Sequence, residues 1–216
     1  MFREDIPLSD FEWTLPLFDD PHLKEQGQNV LLIDVYLRFL ERDLVKEYVE
    51  GVGHPVVAAR VASALSHMWA LAVYELLRTW RERVRKLKQD AQKPFSPIIK
   101  EANRWATFLL RIHLDKLRED SSFAKELDRA YTRVEPVFRK FEALRMNLAK
   151  HQVPKMKGVP AMEPGNTAID KETGCVAWMI DLGNKKYELF YRQSLGNELQ
   201  NLVLPDPDDK TNHASA

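Results

Sequence analysis

The sequence predicts a mainly α protein, an antiparallel bundle of four to five helices followed by a C-terminal β-hairpin. Three observations carry that prediction. No glycine occurs between Gly53 and Gly158, and over that span apolar residues recur at the spacing of a helix face. Capping pairs at Ser96-Pro97 and Ser121-Ser122 divide the span, as the short connections of an antiparallel bundle require. Beyond Pro154 the period falls to two, and residues 175–182 and 185–192 alternate about Gly183-Asn184, a turn suited to a hairpin.

Residues 1–27 hold Pro7, Pro16, Pro21 and Gly27 among Phe2, Phe11, Trp13 and Phe18, which reads as an irregular, acidic N-terminal arm pinned by ring burial. From 28 to 50, Leu32, Val35, Tyr36, Phe39, Leu40 and Leu44 recur at helical spacing until Gly51 and Gly53 end the run. Pro55 then opens an unusually long second helix reaching about residue 89. Its inward face is expected to carry Val57, Val61, Ala64, Leu65, Met68, Leu71, Ala72, Leu76, Trp80 and Val84. The far end of this helix, residues 78–88, is a basic patch, and cations in a last turn are also what the helix dipole favours.

Ser96 as N-cap and Pro97 start a third helix running to about residue 118, with Ile98, Ala102, Trp105, Phe108, Leu109, Ile112 and Leu117 inward. Ser121-Ser122 caps a fourth that reaches His151, with Pro136 either kinking or restarting it. Val134, Val137, Phe138, Phe141, Leu144 and Leu148 form its apolar stripe. Residues 152–173 read as a loop. The hairpin register places Ile180 opposite Tyr187, Trp178 opposite Leu189 and Val176 opposite Tyr191 on the face turned to the bundle, with Asp181 opposite Lys186 on the other. A short helical turn is expected over 197–202 and a disordered tail after it. The organisation expected is therefore an arm (1–27), a helical bundle (28–152), a loop-plus-hairpin appendage (153–203) and a tail (204–216).

Composition narrows the function. Lys+Arg and Asp+Glu number 32 each, so no global field favours nucleic acid or an anionic membrane, and any polyanion site must be local. Cys175 is the sole cysteine, which excludes an intrachain disulfide and every multi-cysteine zinc pattern. The acidic N-terminus lacks the plan of a secretory signal, so a reducing, cytoplasmic setting is expected. The apolar stretch 65–77, interrupted by Ser66, His67 and Glu75, reads as too short to span a bilayer, and no membrane partner is expected. Metal-binding His-Glu-x-x-His, Glu-x-x-His pairs, a glycine-rich phosphate loop and a Gly-x-Ser-x-Gly elbow are all missing from the sequence. No metal or cofactor is expected, and what remains is acid–base or phosphate chemistry by Arg and His.

The candidate site lies where the fourth helix ends. At about 100° per residue, Arg145 and His151 flank the apolar stripe on opposite sides, while Asn147 and His151, four apart, share one side. An arginine that close to a buried face needs a partner or water. The bland account of the same residues is a cationic last turn and an arginine laying its methylenes on the core.

The run Arg145-Met-Asn-Leu-Ala-Lys-His151 on a late helix of such a bundle resembles the Arg-x4–6-His motif of the HEPN superfamily. The likeness covers roughly residues 31–151, and the hairpin is similar to extensions of some bacterial members. The family usually has its polar residue directly after the arginine, where this chain has Met146, with Asn147 one later. Arg60 and His67 meet the same spacing in the middle of the second helix. The resemblance implies a metal-independent endoribonuclease of a toxin or phage-defence type: His151 as general acid or base, Arg145 on the phosphate, and Asn147 orienting the histidine or the phosphate. It also implies a homodimer whose two copies share one cleft, RNA as substrate, and an antitoxin or nucleotidyltransferase partner. The competing expectation is a non-catalytic helical protein of the same fold that dimerises or binds a partner, with Arg145 and His151 as packing and capping residues.

Overall fold

The structure, a computed structural model, describes residues 13–51, 55–93, 104–150, 167–182 and 186–203. Among them the chain is mainly helical: α1 (Pro21–Glu50), α2 (Pro55–Ala91), α3 (Arg104–Glu119), α4 (Ser121–Lys150) and α5 (Arg192–Val203), with strands β1 (Thr167–Ile169), β2 (Val176–Asp181) and β3 (Tyr187–Tyr191) in one antiparallel sheet of order β1-β2-β3. The expected Ser96-Pro97 cap, the Gly183-Asn184 turn, most of the loop after Pro154, the tail and His151 lie outside the described residues. The described residues fall into two compact units, the first drawn from 13–28, 76–93, 104–136 and 202–203, the second from 29–51, 55–75, 137–150, 167–182 and 186–201.

In the first unit, α1 begins at Pro21 rather than at residue 28, because Asp20 caps it. The Asp20 carboxylate accepts from the backbone N–H groups of His22 (3.0 Å) and Leu23 (3.1 Å), and Pro21 fills the first helical position, where it is tolerated. Gly27, expected in the arm, is inside the helix. A Cβ there would collide with the rings of Trp13 and Phe18, which stack at 4.5 Å. Trp80 donates its indole N–H to the carbonyl of Pro16 (2.7 Å) and packs on Tyr131. The basic end of α2 is largely matched by acids: Arg78 with Glu82, Arg81 with Glu135, Arg83 with Asp20 and Lys88 with Asp128. On α3, Phe108 and Ile112 are exposed rather than inward. Asp120 caps α4 through the N–H groups of Ser122 and Phe123, and α4 runs through Pro136 without a break.

In the second unit, α4 keeps its expected stripe: Val137, Phe138, Phe141 and Leu144 are buried. Trp69 meets Phe141 edge-on at 5.5 Å, and Tyr74 stacks on Phe138. The other elements depart from expectation. The buried face of α1 is Val30, Leu31, Asp34, Leu37, Glu41 and Leu44, while Leu32 and Tyr36 are exposed. A short strand, β1, lies within the expected loop and pairs with β2 around a turn where Gly174, at φ +66°, donates its N–H to Asp170. The β2–β3 register is one residue away from expectation: Trp178 faces Phe190, Met179 faces Leu189 and Asp181 faces Tyr187. Leu182 N–H donates to the Lys186 carbonyl, in keeping with the shifted register, and a one-residue slip exchanges the faces of a strand. Phe190 is therefore inside and Tyr187, Leu189 and Tyr191 are exposed. The expected short turn is a full helix, α5, starting directly from β3.

Candidate functional site

The two described members of the expected catalytic set lie close in sequence and differ in environment. Arg145, on α4, is a third exposed. Its guanidinium lies 4.8 Å over the ring of Tyr74, and its Nε is 3.8 Å from Glu75 Oε1 on α2. Asn147 is buried. It donates to the Ala143 carbonyl (2.9 Å) and to the carbonyl of Asp181 (3.4 Å), and accepts from the N–H of Asp181 (3.4 Å). An amide that donates to the C=O and accepts from the N–H of one residue imitates a strand neighbour, and it ties the end of β2 to α4. Its polar atoms are thereby directed to the β2 backbone. His151 lies outside the described residues, so its approach to Asn147 and Arg145 is not among the contacts here.

A polar cluster that the sequence reading passed over is more deeply buried. Arg192, the first residue of α5, is fully buried and ion-pairs with Asp34 and Glu41, both fully buried on α1. Its Nη2 donates to Glu41 Oε2 at 2.6 Å. The remaining carboxylate oxygen sites are occupied: Asp34 accepts from Arg38 (2.9 Å) and Gln200 (3.0 Å), and Glu41 from Gln193 (3.0 Å). Burial opposes the charged guanidinium, but the Glu41 and Asp34 carboxylates outweigh it and hold the Arg192 pKa above its ordinary value. With every acceptor matched, the cluster is a closed structural knot with no group left for a substrate. The signal that could have revealed it is the spacing of Asp34, Arg38 and Glu41, which puts all three on one side of α1.

The second missed feature is apolar. Val57, Val61, Ala64 and Met68 follow one another at intervals of four, three and four residues, within an arc of about 60° on α2. The sequence expects them in the core. Instead Val57 is 61%, Val61 44% and Met68 65% exposed, and Ala64 is exposed too. Inward on the same helix are Ala62, Ser66, Trp69, Ala70 and Val73. By length and composition α2 is the one described helix apolar enough to cross a membrane, with mean hydropathy 1.5 over 18 residues, yet only 28% of that window is buried. Glu75 closes the exposed seam at the same azimuth, so the Arg145–Glu75 pair stands at its end.

No protein-family model, no curated protein and no solved structure matches this chain.

Proposed function

We propose that this chain is a non-catalytic helical interaction protein that pairs with a second copy through the exposed seam of α2. The observation that carries the reading is that an apolar row at helix-pairing spacing on α2, Val57, Val61, Ala64 and Met68, lies in solvent. Isolated exposed apolar residues are ordinary, whereas an aligned row of them marks an interaction surface. The 4-3-4 spacing is that of helices that pair side by side, and Ala64 in the row lets a second backbone come close. A two-fold pair offers a seam of the same chemistry to each copy. The seam lacks the basic flanks that hold an amphipathic helix on an anionic bilayer, since Arg60 is the one cation between Pro55 and Glu75. Asn147, committed to the β2 backbone, and Arg145, occupied by Glu75 and Tyr74, agree with packing roles.

Light scattering during size exclusion tests this. Wild type is expected at twice the chain mass and the double variant Val57→Glu/Val61→Glu at the chain mass, with an unchanged helical circular dichroism spectrum. A wild type that stays monomeric at high micromolar concentration overturns the proposal.

A second reading, the metal-independent endoribonuclease implied by the HEPN resemblance, is favoured by one observation. Arg145 is a third exposed and sits at the end of the seam, so parallel pairing of two seams would bring two guanidinium groups to the same end of the dimer. In that reading Arg145 holds the phosphate and His151 transfers the proton. RNA degradation in chelator, lost in both Arg145→Ala and His151→Ala while the dimer persists, would establish it. Intact RNA with wild-type protein would dismiss it.

A further inference from the structure

We propose that the first unit carries a binding site for a small aryl carboxylate, independent of the pairing seam. A cavity of about 230 Å³ is walled by Leu17, Leu87, Leu109 and Leu110 and rimmed by Asp20, Arg83, Lys86 and His113. Its charges are unevenly compensated. Arg83 is held by Asp20 at 2.7 Å, and the Asp20 carboxylate also caps α1. His113 Nε2 lies 2.9 Å from Asp19. Lys86 has no acidic partner among the described residues, although its neighbours Arg83 and Lys88 are both matched. An ammonium with no acidic partner among the described residues, lining a leucine-walled hollow, is the arrangement that orients an amphipathic anion: apolar body inward, carboxylate on the cation.

Size narrows the ligand. A dry cavity of about 150 Å³ accommodates benzene, so the larger volume here accepts one aromatic ring plus a short carboxylate arm. The wall itself is unusual. Leu17 takes a left-handed backbone at φ 73°, a conformation costly for a bulky side chain and of a kind that clusters at binding and catalytic sites. Surrounding contacts over-determine it, since Asp20 N–H donates to the Leu17 carbonyl and Trp80 holds the carbonyl of Pro16. The strained residue is thus fixed as part of the cavity lining.

The test is a titration of the full chain with 3-phenylpropanoate, followed by amide chemical shifts and calorimetry, with 3-phenylpropan-1-ol as the neutral counterpart. The carboxylate is expected to shift the amides of Leu17, Leu109, Leu110 and His113 and to bind at least tenfold more tightly than the alcohol. Lys86→Gln, at an exposed position that leaves folding intact, should weaken the carboxylate about tenfold and leave the alcohol unchanged. Arg85→Gln, on the same turn but not lining the cavity, should change neither. Equal affinity for acid and alcohol, an unaffected Lys86→Gln variant, or no saturable binding at millimolar ligand each overturns the proposal.

Discussion

Arg145 and Arg192 belong to the same compact unit, and both place a guanidinium against an aromatic ring, Tyr74 in one case and Trp69 in the other. They differ in solvent. Arg145 is a third exposed, and its ion pair with a half-exposed glutamate is loose at 3.8 Å. Arg192 is sealed between two carboxylates that are themselves sealed. The helix-end arginine, conspicuous in the sequence, thus contributes little to the fold, while the arginine at the strand-to-helix junction joins α5 to α1. An arginine near an apolar stripe marks a site only when its charge is left available, and in this unit the two extremes of availability stand side by side.

The largest test of that contrast is Arg192→Met. It leaves Asp34 and Glu41 buried without their cation, and removing one partner of such a cluster costs about 3–5 kcal/mol, a large part of the stability of an ordinary domain. Urea unfolding should show that loss or an unfolded chain. The variant Asp34→Leu/Glu41→Leu/Arg192→Met, which removes the whole cluster, is expected to recover most of it, because an apolar replacement leaves no charge stranded. If the single variant loses less than about 1 kcal/mol, the knot is not sealed in the way described. Gly174→Ala strikes the same knot from the backbone side. At φ +66°, with the Glu41 carbonyl closest to where a Cβ would stand, the substitution should cost about 2 kcal/mol or more. A neutral result in the same assay would mean the β1–β2 turn gives way easily.

These elements also show which parts of the molecule could be read in advance. The helical class, the long α2, the stripe of α4 and the presence of a hairpin follow from periodicity and punctuation, and they are found. The inward face of α1 could not be read by counting apolar residues, because Asp34 and Glu41 occupy it, and their burial depends on an arginine more than a hundred and fifty residues away. The strand register failed for a related reason. Tyr187, Leu189 and Tyr191 look like a core-facing set, yet that face is exposed, while Phe190 and Arg192 are buried. On α2 the helical period is present as expected, but the opposite side of the helix is the buried one: Val57, Val61 and Met68 are exposed. Of the candidate site, an arginine beside the apolar stripe is expected to find a partner or water, and Arg145 lies against Tyr74 and Glu75, whereas the contacts of Asn147 depend on the backbone of Asp181, which sequence spacing does not reveal.

Asn147→Ala comes next in size. It removes the amide that matches both the backbone N–H and the C=O of Asp181 and should cost about 1–3 kcal/mol, the usual consequence of leaving buried backbone groups unmatched. Hydrogen exchange should localise the loss to the end of β2, with faster exchange at Asp181 and little change in the α1–α5 contacts. An unchanged rate at Asp181 would show that water or the strand itself replaces the side chain.

Arg145→Ala is the smallest perturbation and the most informative about function. A half-exposed ion pair contributes about 0–1 kcal/mol and a surface cation over a tyrosine ring about 0.5–1 kcal/mol, so the midpoint in urea should move by no more than about 1 kcal/mol's worth. Because the pair ends the α2 seam, its removal reads out the role of the arginine through association instead of through stability. In the pairing proposal, Arg145→Ala and Arg145→Lys both remain dimeric with affinity changed less than about tenfold, because the apolar row supplies the contact and a charge at the rim tunes it. In the nuclease reading the same two variants also remain dimeric but differ from wild type in RNA cleavage, with lysine restoring little, since a point charge does not reproduce the two-pronged grip of a guanidinium on a phosphate. A loss of stability above about 2 kcal/mol would contradict both, and would mean that Arg145 is buried as firmly in solution as Arg192 is.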